Sequence, residues 1–129
     1  MQMRTLGPAE QPVVIDQVLS ILRRWQMSTT EQARLLGVSR STIRRWRSGA
    51  GARNLRIRMT DERYHAFGLV LAIHADLRSV FGSGEGDVLF MRSPNTGEPF
   101  CGACPVDWLI SGRSANLERF KRIVGAMAN

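Results

Sequence analysis

The stretch "EQARLLGVSRSTIRRW", Glu31–Trp46, decides how the chain is read. Its apolar spacing is helical on both sides of Gly37, but one uninterrupted helix would put a glycine at its centre. Two short helices, about Thr30–Leu36 and Arg40–Trp46, crossing at a steep angle, explain the glycine better. A tight turn between them needs a residue that takes positive φ without steric cost. Ala33, four residues earlier, is small enough for close crossing. Leu36, Val38, Ile43 and Trp46 supply a shared core, and Ser39 is placed to cap the second helix. The outer face of that helix then carries Arg40, Ser41, Arg44 and Arg45, with Thr42 at its edge.

Small residue, glycine four on, a β-branched apolar residue six after that, and arginines outside together resemble the helix-turn-helix of prokaryotic repressors. The resemblance makes the second helix a recognition helix. Its arginines suit guanine O6 and N7 in the major groove, and its hydroxyls suit bases or phosphates. Ser39, Arg40, Ser41, Thr42, Arg44, Arg45 and Arg47 are the candidate DNA contacts. Thr30, at the start of the first helix, is placed for a backbone phosphate. The alternative is a helical hairpin with a basic, solvated face.

Charge distribution supports the DNA reading. Residues 1–60 hold eleven arginines against Glu10, Asp16 and Glu31, a net +8, whereas residues 61–129 hold seven Lys and Arg against eight acids, a net −1. The whole excess of +7 therefore lies in the first half. A polyanionic partner for that half follows, and Arg23, Arg24, Arg34 and Arg53 add sequence-independent attraction.

Outward from the motif, residues 1–11 read as a loose N-terminus. "PVVIDQVLSILRRWQM", residues 12–27, places Val14, Val18, Ile21, Leu22 and Trp25 at helical spacing, with Pro12 in the first turn. Ser28 or Thr29 caps the next helix, with Glu31 or Gln32 completing a capping box. Residues 47–54 read as a loop, and "LRIRM", residues 55–59, as a short extended piece. Thr60 caps a long helix from Asp61 to Phe81, whose expected stripe is Tyr64, Phe67, Leu71, His74, Leu77 and Phe81. "GSGEG" ends it; without a preceding strand or a Lys-Ser/Thr, these glycines read as a cap and turn rather than a phosphate loop. "DVLFM" is a short helix or turn, and "RSPNTGEPFCGACP" a loop. Pro105–Ser111 is a short helix ended by Gly112, and a last helix runs from about Ala115 to Met127, burying Leu117, Phe120, Ile123, Val124 and Met127. The expected fold is all-α: an N-terminal helix-turn-helix DNA-binding bundle over residues 12–59, then a small helical domain over residues 60–129.

No catalytic set stands out, so an enzyme is not expected. His65 and His74 share a helix face only loosely, and His74 on an apolar stripe suits a core or edge position. Cys101 and Cys104 form a CxxC without the further ligands zinc needs or the βαβ context of a redox site. They read as two reduced thiols, with a reversible disulfide as the alternative. Neither metal nor cofactor is expected. The N-terminus has no apolar signal region, and no stretch approaches the roughly 18 apolar residues of a membrane helix; a cytoplasmic protein without a membrane partner is expected.

The order of motifs in the second half adds a resemblance. Phe90 stands four before Pro94-Asn95; Gly102, Pro105, Asp107, Leu109 and Gly112 follow, then a short amphipathic helix. This resembles the toxin-binding domain of the Xre/MbcA/ParS antitoxins, whose toxins carry the RES fold, over about residues 60–129. Phe90 stands where that family commonly has tryptophan. The resemblance implies a type II antitoxin that blocks an NAD-consuming or ADP-ribosylating toxin and represses its own operon, as a homodimer within a larger toxin–antitoxin complex. Its partners would be the RES-domain toxin and operator DNA. The toxin-facing candidates are Pro94, Asn95, Trp108, Arg113, Arg119, Phe120, Met127 and Asn129. For Trp108 and Phe120, core packing is the competing reading. The alternative function is a free-standing transcriptional regulator whose second half dimerises or senses a ligand.

Overall fold

The computed structural model describes residues 11–48 and 60–129, and every regular element among them is helical. In order these are α1 (Gln11–Arg24), α2 (Thr29–Leu36), α3 (Arg40–Ser48), α4 (Asp61–Phe81), α5 (Gly86–Arg92) and α6 (Pro105–Ala128). The expected extended piece at residues 55–59 lies outside the described residues, as do residues 1–10 and most of the expected loop at 47–54. Arg47 and Ser48 belong instead to the last turn of α3.

Local chemistry sets most boundaries. Ser28 caps α2 in a full capping box: its hydroxyl accepts from the Glu31 N–H at 3.1 Å, and the Glu31 carboxylate accepts from the Ser28 N–H at 2.8 Å. Gly37 ends α2 in the left-handed region at φ 70°, ψ 34°. Thr60 caps α4 through the Arg63 N–H at 3.2 Å. Helix α1 stops at Arg24, short of the expected Met27. Gln26 takes φ 62°, and the Met27 N–H reaches back to the Leu22 carbonyl at 3.1 Å.

Helix α6 replaces the two expected helices by one that breaks between them. The break lies at Arg113, φ 49° and ψ −125°, one residue beyond Gly112. The Asn116 side chain lies where a Cβ on residue 112 would stand, so any larger residue there displaces it. Asn116 Nδ2 and Ser111 Oγ both donate to the Trp108 carbonyl at 2.7 Å, tying the turns on either side of the break together.

The core is continuous across both halves of the chain. Ile15, Val18, Leu22 and Trp25 of α1 join Ile43 and Trp46 of α3, Phe67, Val70, Ile73 and Leu77 of α4, and Leu109, Leu117, Phe120 and Val124 of α6. Trp46 meets Phe67 edge to face at 6.0 Å, packing α3 onto α4. Helices α4 and α6 share the most extensive contact, and α1 and α2 pack on α4 and α6 respectively. The buried face of α4 is broader than the expected stripe. Ala66, Phe67, Leu69, Val70, Ile73 and Leu77 are buried, while Tyr64, Leu71, His74 and Phe81 are half-buried, because neighbours cover α4 on more than one side. At the chain's end Met127, expected in the core, is exposed.

Candidate functional site

Helix α3 is built as its sequence pattern requires. Ile43 and Trp46 point inward at 0% and 5% exposure, which leaves Arg40, Ser41, Arg44 and Arg45 on the exposed face. Ser39 Oγ accepts from the Thr42 N–H at 3.1 Å and bonds the Thr42 hydroxyl at 2.9 Å. Thr42 Oγ1 also accepts from Arg45 Nη2 at 3.2 Å. Thr42 is half-buried, and its hydroxyl is shared between Ser39 and Arg45. Arg40 and Arg44 have no side-chain partner among the described residues and extend into solvent.

The N-terminus of α2 lies beside this face. Thr30 is exposed, and a shallow cleft is lined by Arg23, Met27, Ser28, Thr29, Gln32 and Arg47. Arg47 Nη2 donates to Thr29 Oγ1 at 3.1 Å and to Gln32 Oε1 at 3.4 Å. Gln32 is buried, and its amide donates to the Met27 carbonyl at 2.9 Å. Ser28 and Thr29 at the start of α2 and two arginines therefore line one concavity, a chemistry suited to a phosphate. Sequence reading offers the start of α2 for a phosphate and Arg47 as a DNA contact, but it misses Gln32 as a partner of Arg47; Thr30 lies beside the cleft's lining rather than in it.

Two polar links fasten this unit to the second half. Arg24 grips the fully buried Asp87 of α5 with both prongs: Nε to Oδ2 and Nη2 to Oδ1, each 2.8 Å, and Nη2 also reaches the Gly84 carbonyl at 2.9 Å. The Arg24 guanidinium holds the Asp87 carboxyl below its usual value against the opposing effect of burial, and Arg24 itself is raised. His74, half-buried nearby, is pushed down chiefly by loss of water, with Arg24 and Arg78 adding to that and Asp87 opposing it. Arg92 makes the second link. Its Nε donates to the Trp25 carbonyl at 2.9 Å, and its Nη2 to the Gln26 carbonyl and to Glu31 Oε1, the latter at 3.2 Å. Burial works against the charge on Glu31, but the Ser28 N–H and Arg92 outweigh it and lower its carboxyl.

The candidate partner-facing residues divide. Pro94 is exposed. Asn95 is half-buried and closes the 93–104 loop: its N–H donates to the Ala103 carbonyl at 3.1 Å, its carbonyl accepts from Gly102 at 2.7 Å, and its Oδ1 accepts from the Gly97 N–H at 2.9 Å. Its side chain shapes the loop. Phe120 is fully buried, which supports the core-packing reading and corrects its candidacy as a toxin-facing residue; it packs against Phe90, Phe100 and Trp108 at 6.4, 5.9 and 6.4 Å. An amphipathic pattern alone does not show that the 93–104 loop folds over that face of α6. Trp108 is half-buried, edge-on to Phe100 at 5.1 Å, with the exposed Arg119 guanidinium 5.5 Å above its ring. Arg113, at the helix break, is exposed and borders two grooves against α2 and Gly37. Met127 and Asn129 are exposed, and Asn129 Nδ2 donates to the Gly125 carbonyl at 2.9 Å. Phe90, Pro105 and Leu109, three positions of the motif order, serve packing. Cys101 is exposed and Cys104 buried, both as free thiols. His65 pairs with Glu118 across α4 and α6. No group of three or more metal-ligating side chains occurs among the described residues.

Residues 7–56 match the family model of the antitoxin Xre-like helix-turn-helix domain. The N-terminal part is a helix-turn-helix domain. Its similarity to Xre-like antitoxins makes the chain antitoxin-like and points to DNA binding and a toxin partner of some kind. Over 119 residues the chain is 27% identical to the uncharacterized protein y4oB of Sinorhizobium fredii (strain NBRC 101917 / NGR234), covering 92% of this chain and 86% of that one. No solved structure gives a significant match. No single helix among the described residues is long and apolar enough to cross a membrane.

Proposed function

We propose that this chain is the antitoxin of a type II toxin–antitoxin pair, a cytoplasmic, non-enzymatic regulator. Its helix-turn-helix represses its own operon, and its second half binds and inhibits a RES-domain toxin that consumes NAD or ADP-ribosylates a target. The observation that carries this reading is the Xre-like antitoxin match over residues 7–56, the segment whose third helix exposes Arg40, Ser41, Arg44 and Arg45. Operator binding is proposed to use a homodimer, which the toxin enlarges into a mixed complex. Residues 12–59 are the proposed DNA-binding domain and residues 60–129 the proposed toxin-binding domain.

The toxin-facing surface is drawn from Pro94, Trp108, Arg113, Arg119, Met127 and Asn129. Trp108 is its anchor, because an aromatic half-covered by an arginine offers both apolar area and a charged rim. Co-expression with the product of the neighbouring reading frame tests the reading. Co-purification together with rescue of growth supports it, and loss of rescue on substituting the exposed Arg113, Arg119 or Met127, with the fold retained, supports an interface on the last helix. A neighbour that is neither toxic nor bound would favour the free-standing regulator.

A further inference from the structure

Arg92 ends α5, 61 residues from Glu31 in sequence, yet its guanidinium is spent entirely on the helix-turn-helix unit. Its three acceptors define one place. The Trp25 carbonyl follows the end of α1, the Gln26 carbonyl belongs to a turn residue at φ 62°, and Glu31 Oε1 is the capping-box carboxylate of α2. That carboxylate oxygen also accepts from the Ser28 N–H. Glu31 therefore sits in the first turn of α2 with its charge directed at Ser28 and Arg92.

We propose that Arg92 is a positioning residue for DNA binding: it locks the α1–α2 turn and compensates the Glu31 charge at the end of α2 that a phosphate approaches. The proposal rests on the DNA-binding reading of the helix-turn-helix. An anion meets the N–H groups at a helix N-terminus favourably. An unpaired carboxylate in the same turn repels it across a few ångströms, well inside the roughly 8 Å screening length at physiological salt. Arg92 removes that repulsion without touching DNA. Its side chain is 24% exposed, and its donors already face protein oxygens. The helix-turn-helix thus depends on a residue outside the 7–56 segment that carries the family match.

The test uses the full chain and a duplex from its own upstream region, with anisotropy titrations at two salt concentrations and a melting curve for each variant. Arg92→Gln keeps an amide donor near the Trp25 carbonyl but removes the charge and the longer reach to Gln26 and Glu31. It is expected to weaken binding roughly tenfold, the scale of one lost charge-assisted contact. Adding Glu31→Gln, which preserves the capping box, is expected to recover several-fold of that loss, although the melting temperature need not recover. If Arg92→Gln is too unstable to measure, Arg92→Lys carries the test: it keeps the charge and is expected to stay within about threefold of wild type. Wild-type affinity in Arg92→Gln, a double variant no tighter than the single, or a collapse of binding in a folded Arg92→Lys would overturn the proposal. Arg44→Ala separates the two levels. If it abolishes specific binding while Arg92→Gln does not, the DNA reading stands and the positioning role falls. If the wild type prefers no duplex, both fall.

Discussion

Asp87→Ala removes the buried half of the link between α1 and α5. Two 2.8 Å hydrogen bonds disappear, and Arg24 keeps only the Gly84 carbonyl at 2.9 Å. Breaking a buried pair from one side costs about 3–5 kcal/mol, because the remaining charge is stranded. Here the stranded group is the Arg24 guanidinium, whose side chain is 29% exposed and can take up water. The loss is therefore expected at the lower end, about 3 kcal/mol. With a urea slope of about 2 kcal/mol/M, the midpoint falls by about 1.5 M. The assay is urea unfolding of the full chain at pH 7, followed by helix signal and by tryptophan fluorescence. The pH dependence has a definite sign. Asp87 is lowered in the folded state from an ordinary value of 3.8, so the unfolded chain takes up its proton first. The contribution of the pair is complete above about 3.8 and is lost as pH falls through the lower folded value. The gap between wild type and variant should stay flat from about pH 7 to 5 and close only in stronger acid. A loss under about 1 kcal/mol at pH 7 with an unchanged slope, or a gap that closes near neutrality, would refute the reasoning.

Three further outcomes are expected. Gly37→Ala meets no steric obstacle but places a Cβ at φ 70°, so stability should drop by about 1 kcal/mol in urea unfolding, with the helix-turn-helix retained. His74 is lowered from 6.5 chiefly by burial, so the unfolded state protonates first and its contribution erodes as pH falls below about 6.5. His74→Leu should flatten the melting temperature between about pH 7 and 5; an unchanged slope contradicts the assignment. Arg113→Gly relieves a side chain held at φ 49°, ψ −125°, and should leave stability level or raise it by about 1 kcal/mol, whereas Arg113→Ala should show no such gain.

The features legible in the sequence are those that short-range chemistry decides. The turn at Gly37, the capping box of Ser28 and Glu31, the Thr60 cap and the inward pair Ile43 and Trp46 each follow from residues within a few positions of one another. What escaped was set by residues far apart in sequence. Nothing near Arg24 announces Asp87, and nothing near Glu31 announces Arg92. The end of α1 fell short of Met27 because a left-handed Gln26 is supported by donors from α5 that periodicity does not contain. The α4 stripe was too narrow because α1, α5 and α6 cover that helix on several sides. For Phe120 the sequence leaves core and toxin-facing readings side by side, and the rings of Phe90, Phe100 and Trp108, distant in sequence, decide for the core. The α6 break was anticipated at Gly112, and the glycine does serve it, but the strained residue is the arginine that follows.

The measurement that tests the account most directly is a titration of the purified chain against its own upstream duplex and a scrambled duplex, repeated with Arg44→Ala and Arg45→Ala. The account predicts a clear preference for the upstream duplex and a loss of about 1–3 kcal/mol for an arginine that reads a base. Equal affinity for both duplexes, or wild-type binding by both variants, would contradict α3 as the DNA-reading helix.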